Sequence, residues 1–208
     1  MEKKARTAKR VVGIRPLTPG RWADLERLFG ARGACGGCWC MSWRLTRRAF
    51  EQGKGEPNRR AFKRLVTRGA AHGLLAYRGT EPVGWCSFGP RSDFPRLAGS
   101  RVLKPLDDQP VWSVTCFFIA RPERRRGLTT WLLSAAADYA ARRGARILEG
   151  YPLDLRAQTL PDVFAWTGLL KGFERAGFKE SARRSKTRPI VRRRLSRGGR
   201  RPSRVGTA

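Results

Sequence analysis

Apolar positions recur along the chain at two spacings, and the alternation between the two sets out the elements in order. Val11-Val12-Gly13-Ile14-Arg15 predicts a short strand. Thr18 then offers an N-cap and Pro19 suits a first helical position, where its missing N–H costs nothing. Trp22, Leu25, Leu28 and Phe29 follow at helical spacing, so a helix is expected over 19–29, ended by Gly30 and Gly33. A second helix is expected over 57–68, with Pro57 at its start and Ala61, Phe62, Leu65 and Val66 on one side. Residues 73–77 and 83–88 predict a strand pair, joined by the turn residues of Arg78-Gly79-Thr80-Glu81-Pro82. Residues 90–110, rich in Pro, Gly and Asp with little period, predict mostly loop.

From Val111 to Ile119 the run is nearly all apolar, with β-branched and aromatic residues, as in a strand buried on both faces. Leu128, Trp131, Leu132, Ala135, Ala136 and Tyr139 then hold the i, i+3, i+4, i+7 pattern of an amphipathic helix that Gly144 ends. Ile147-Leu148-Glu149-Gly150-Tyr151 is the next strand. A strand–helix–strand unit of this kind implies a parallel pair with a right-handed crossover. A later helix is expected over 162–176, stopped by Gly177, with two antiparallel strands between Phe178 and Leu195. The elements describe one α/β domain over 11–195, without internal repeats.

Composition adds charge to this picture. In 208 residues, 40% hydrophobic, one core can form. The formal charge is +29. Residues 1–10 hold five Lys/Arg and one Glu, and residues 183–208 hold eleven Lys/Arg and no acid. Residues 1–10 and 196–208 therefore read as basic disordered ends, able to touch nucleic-acid phosphates without sequence preference. No apolar run reaches the roughly 18 residues a membrane span needs, and the basic start has no apolar stretch behind it, so a cytoplasmic protein is expected. Five cysteines in no disulfide-like spacing fit reduced thiols. Cys35-x-x-Cys38-x-Cys40 offers three soft ligands where zinc takes four, so no metal is expected. Monomer and dimer are both compatible with the sequence.

The chemistry concentrates between the buried strand and the strong helix, at Ala120-Arg121-Pro122-Glu123-Arg124-Arg125-Arg126-Gly127. A helix opening after such a turn presents unpaired N–H groups and the positive end of its dipole. Gly127 allows close approach to the backbone, and three arginines add donors for phosphate oxygens. A pyrophosphate suits the place.

The stretch from Cys116 to Leu133 resembles the coenzyme A motif of the GNAT superfamily of N-acetyltransferases: Arg or Gln, two residues, Gly, one residue, then Gly or Ala. Arg124, Gly127 and Thr129 take those places; Thr129 departs from the small residue but keeps its N–H to donate. The order of elements also matches, over about 11–195. The resemblance implies a central, mixed, mostly antiparallel twisted sheet with one parallel, splayed strand pair, flanked by helices. It implies acetyl-CoA as co-substrate, held by Arg124, Arg125, Arg126, Gly127, Leu128, Thr129 and Thr130. Phe118 and Ile119 would pair with the pantetheine arm, and an amine would attack the thioester directly.

One departure bears on catalysis. The family's late tyrosine, the usual general acid, falls on Phe173, and its asparagine on Trp166. Glu149 and Tyr151 are the substitutes expected from the neighbouring strand, taken to point to opposite faces so that at most one lines the site. Trp39, Trp43 and Arg44, in the loop CGGCWCMSWR, are candidates for shaping an acceptor pocket. His72, the only histidine, is a further candidate base. The acceptor is a small-molecule or protein amine. The alternative is a GNAT-shaped protein with weakened chemistry that binds coenzyme A, nucleic acid or both, which Phe173 and the basic ends favour.

Overall fold

A computed structural model describes residues 13–155 and 165–196. The expectations for Val11 and Val12, for residues 162–164 of the helix expected over 162–176 and for nearly all of both basic ends lie outside these residues; over 165–169 the chain turns instead of forming the expected helix, which begins only at Leu170. Seven strands form one sheet: β1 Gly13–Pro16, β2 His72–Arg78, β3 Glu81–Pro90, β4 Trp112–Ile119, β5 Ile147–Gly150, β6 Lys179–Ala182 and β7 Ile190–Arg194. Their order is β1-β2-β3-β4-β5-β7-β6. Every neighbouring pair is antiparallel except β4 and β5, which run parallel as the crossover predicts.

The helices are α1 Trp22–Phe29, α2 Arg47–Gln52, α3 Glu56–Thr67, α4 Pro95–Ala98, α5 Leu128–Arg142 and α6 Leu170–Arg175. α2 stands in a stretch for which no element was expected; Thr46 caps it by accepting the Ala49 N–H at 3.3 Å. α4 interrupts the region expected to be loop, and Leu97 on it is fully buried. The helix expected over 19–29 begins as a 3-10 turn at Pro19–Arg21. Along α5, Leu128, Leu132, Leu133, Ala136, Ala137 and Ala140 face the sheet. Trp131 does not; it stands 48% exposed, so the apolar stripe is rotated from the one read in the sequence.

Each face of the sheet carries its own core. α5 and α6 cover one, with Phe117, Leu132, Phe173 and Val191 packed together. α1, α3 and the loop over 33–45 cover the other, where Leu25, Phe29, Trp39, Phe62 and Trp85 meet. Gly73 is required by this second core, since a Cβ there would lie 1.8 Å from the Trp85 ring. β4 runs between the two cores, which is why its sequence is apolar on both sides.

Candidate active site

β4 carries an irregularity in its middle. Ser87 of β3 pairs with Cys116 but Phe88 pairs with Val114, so Thr115 is an extra residue in the ladder. A bulge of this kind bends a strand and re-aims its side chains. On the other edge, β4 pairs with β5 only from Trp112↔Leu148 to Val114↔Gly150. Beyond that point no β4–β5 pairing continues, and a cleft of about 930 Å³ opens along β4.

One end of the cleft is basic. Gly127 is the N-cap of α5 with φ +77°, and a Cβ on it would meet nothing within 4 Å, so the backbone there faces open space. Arg124, Arg125, Gly127, Leu128, Thr129 and Thr130 line this end. Arg125 has φ +59°, an uncommon left-handed conformation for a residue with a side chain. The Arg124 Nε donates to the Ile119 carbonyl at 3.1 Å, tying the loop to the end of β4. Arg126 turns away from the lining, toward Glu123 at 3.7 Å. Glu123 itself is buried beneath the loop and gripped by Arg78, whose Nε donates to Oε1 at 2.9 Å. That grip holds the Glu123 carboxyl below its ordinary pKa. Lys171, Gly172 and Arg175 of α6 complete the basic end, and Thr130 Oγ1 donates to the Gly172 carbonyl at 3.4 Å. Lys171 and Arg175 were not singled out from the sequence, where an amphipathic helix with two basic residues carries no distinguishing signal.

The middle of the cleft is the exposed edge of β4. Ala120 N–H bonds back to Val83 of β3, so by alternation Phe118 N–H also points to β3, and Phe117 and Ile119 N–H point into the gap. Phe117 N–H meets the Trp166 carbonyl at 2.6 Å. Of the two residues expected to pair with pantetheine, Ile119 presents its amide to the gap. Phe118 contributes its ring, which packs edge-on against Phe29 at 5.4 Å.

The far end is aromatic and bears little charge. Phe29, Trp43, Phe50 and Trp166 line it together with Ala34, Gly36 and Ser42, and Lys54 stands at its edge. Trp43 and Trp166 lie 5.8 Å apart, and the Trp43 indole N–H is buried without a partner among the described residues. Trp39 and Arg44, expected beside Trp43, do not line the cleft. Trp39 is buried in the second core, stacked on Trp22 at 5.9 Å. Arg44 lies over the Phe94 ring at 4.5 Å and pairs with Asp93 at 3.5 Å.

Glu149 and Tyr151 also lie elsewhere. Two residues apart on an extended chain, they share a face rather than point to opposite ones, and the Tyr151 hydroxyl donates to Glu149 Oε1 at 2.6 Å. Glu149 is clamped between Arg91 and Arg192, each at 2.7 Å, and the Tyr151 hydroxyl meets Ser113 Oγ at 2.8 Å. Burial pushes the Tyr151 phenol well above its ordinary pKa, helped by the Glu149 charge. Neither side chain is part of the cleft lining. His72 stacks on Trp112 at 4.9 Å, also outside the lining, and burial lowers its pKa. Phe173, which the resemblance put at the tyrosine position, is fully buried in the first core.

The cysteines are the feature the sequence left unassigned. All five are free thiols. Cys35, Cys38, Cys40 and Cys116 line the cleft where its aromatic end meets β4, while Cys86 is buried behind. Among the described residues, no group of three or more His, Cys, Asp or Glu side chains is placed to hold a metal ion.

The sequence model of the Acetyltransferase (GNAT) family matches residues 39–160. The chain therefore belongs to the GNAT acetyltransferase family, acyltransferases that use acetyl-CoA. Solved structures share its fold. A GNAT-family acetyltransferase from Listeria monocytogenes 4b F2365 superposes with a TM-score of 0.53 at 11% identity, covering 88% of this chain and 94% of its own. An N-acetyltransferase from Staphylococcus aureus Mu50 superposes with a TM-score of 0.51 at 11% identity, covering 88% of this chain and 98% of its own. No curated protein matches the sequence. No helix among the described residues is long and apolar enough to cross a membrane.

Proposed function

We propose that the protein transfers the acetyl group of acetyl-CoA, by direct attack, to a neutral amine borne on an apolar or aromatic body. One observation carries this reading: a single cleft runs from the basic end at α5 and α6, along the exposed edge of β4, to the aromatic end beside Trp43. Arg124, Arg125, Lys171 and Arg175 suit the phosphates of the co-substrate, and the first-turn N–H groups of α5 add the helix dipole. The Ile119 amide suits the pantetheine arm as an added strand would. Charge limits the acceptor. Glu123 is the one carboxylate among the described lining residues, and Arg78 already holds it. Among the described lining residues a polycationic acceptor would find no free counter-charge, whereas the rings of Phe29, Trp43 and Phe50 favour an apolar one. Such chemistry fits the cytoplasm, where thiols stay reduced.

Release of free coenzyme A thiol, measured over arylalkylamines, amino acids, polyamines and aminoglycosides, tests this. Arylalkylamines should turn over fastest. A preference for polyamines would contradict the acceptor reading, and no release with any amine, despite acetyl-CoA binding, would favour the alternative of weakened chemistry.

A further inference from the structure

α3 divides its residues sharply between two sides. Phe62 and Val66 are buried in the second core. On the outer side Arg60, Lys63, Arg64 and Thr67 stand at i, i+3, i+4 and i+7, and Arg68 is the C-cap. All five are exposed, and together they line a shallow depression of about 360 Å³ that no acidic residue lines.

The carboxylates of α1 and α3 are taken elsewhere. Asp24 pairs with Arg27 at 2.8 Å, and Glu26 accepts from the Arg59 Nε at 2.7 Å. Glu56 pairs with Arg59 at 2.9 Å and reaches Arg60 only at 3.8 Å. Among the described residues no carboxylate pairs with Lys63, Arg64 or Arg68; the Lys63 ammonium lies over the Trp22 ring at 5.8 Å. Arg60 therefore faces like charges at Lys63 and Arg64, a spacing that destabilises a helix. The helix dipole favours cations in the last turn, which accounts for Arg64 and Arg68 but not for Arg60 or Lys63. An anion that repeats along the row would offset the repulsion at every position.

We propose that this face of α3 is a docking surface for the phosphodiester backbone of a nucleic acid. Its arginines recur about 6 Å apart along the helix axis, and the guanidinium fork matches phosphate oxygens. The depression between the side chains leaves room for the strand. A lipid surface fits this face poorly, because a helix lying on a membrane needs large apolar residues beside its cations. The exposed large apolar side chains among the described residues are Trp131 on α5 and Leu169 before α6, not on α3. A protein partner would need an apolar centre as well, whereas contact with a phosphate backbone needs only the cations. None of the five residues lines the cleft, so the strand and acetyl-CoA can bind together.

Fluorescence anisotropy of a labelled single-stranded RNA and of a duplex DNA, titrated with the full chain over a salt series, tests this. The variant Arg60→Gln, Arg64→Gln, Arg68→Gln keeps residues that suit a helix. On the RNA it should flatten the slope of log affinity against log salt by about 2, the share of three lost phosphate contacts. Its circular dichroism and acetyl-CoA affinity should match the parent's. Arg142→Gln, Arg143→Gln, Arg146→Gln removes as much charge at the far end of α5 and should leave the slope unchanged. Saturating acetyl-CoA should not displace the strand, and the tighter of RNA and DNA at equal salt identifies the source of the backbone. A parent that binds neither strand overturns the proposal, as does an α3 variant with the parent's slope. An equal fall in both triple variants overturns it in favour of net charge, and displacement by acetyl-CoA in favour of the basic end of the cleft. Binding to phosphatidylserine vesicles through these arginines, with neither strand bound, would make the partner a membrane instead.

Discussion

The ring of Phe173 lies against Gly150, so close that a Cβ on Gly150 would sit 2.1 Å from the ring. This contact joins α6 to β5 beside the point where β5 and β4 part. The ring is a core element, packed edge-on against Phe178 at 5.0 Å and Phe117 at 6.1 Å. Gly150→Ala should therefore destabilise the domain by about 1–3 kcal/mol through overpacking, read as a lower denaturation midpoint. Phe173→Tyr should bring no gain in kcat, because its hydroxyl would enter the core rather than the cleft. An accelerated Phe173→Tyr variant would show that the acid site reaches this position.

Glu149 neutralises two arginines in the interior, Arg91 and Arg192. Removing it should leave Arg91 without a carboxylate and Arg192 with Asp107 alone, and breaking a buried pair of this kind costs about 3–5 kcal/mol. Glu149→Ala should thus fall sharply in thermal stability while acetyl-CoA affinity, measured below the melting transition, stays near the parent's. Normal stability with lost turnover would return Glu149 to a catalytic role.

The Arg78–Glu123 pair underlies the loop before α5 and carries a pH signature. The folded-state pKa of Glu123 is lowered by Arg78, so the pair's contribution is present above the unfolded carboxylate pKa of about 4.3 and is lost as pH falls through the folded value. Stability should decline below about pH 4. In Arg78→Gln that part of the decline should shrink, since the largest cause of the lowered pKa is gone while Arg126 stays near the carboxyl and burial opposes its charge. Unfolding titrations across this range read the difference.

Much of the architecture was legible because burial wrote it as period. The all-apolar β4 and the helix after Gly127 stand where hydrophobic spacing puts them. The order β5-β7-β6 was not legible, because spacing reports which face is buried and not which edge a strand joins. The loop proposed to meet the phosphates was read from a local motif, since its residues are neighbours in sequence. The rest of the cleft was not: Cys40 meets Trp85 only because the loop folds over β3. Arg44 looked like a pocket residue because buried and exposed arginines share one letter; only the contact with Phe94 and Asp93 reveals the difference. For Glu149 and Tyr151, strict alternation on an extended chain already places residues two apart on one face. Their role as a buried charge cluster needed Arg91 and Arg192, both distant in sequence.

The basic segment after β7 yields an independent expectation. Residues 197–208 carry four arginines and no acid. Removing them should weaken non-specific RNA binding and flatten its salt dependence, because fewer counterions are released. Acetyl-CoA affinity should not change. Filter-binding across a salt series beside calorimetry reads both, and equal losses in the two would tie this segment to the cofactor cleft.

Gly127 offers the most direct test of the claim that this cleft holds acetyl-CoA. Its left-handed backbone faces open space, so a carboxylate at that position would occupy the approach to the first turn of α5 and repel phosphates. The backbone strain of a non-glycine residue there is about 1–2 kcal/mol, and a negative charge at a helix N-terminus is otherwise favourable. Gly127→Glu should keep the circular dichroism of the parent. Calorimetric titration with acetyl-CoA should give saturable heat for the parent and none for Gly127→Glu. A well-folded Gly127→Glu that binds acetyl-CoA like the parent would contradict the assignment of this cleft.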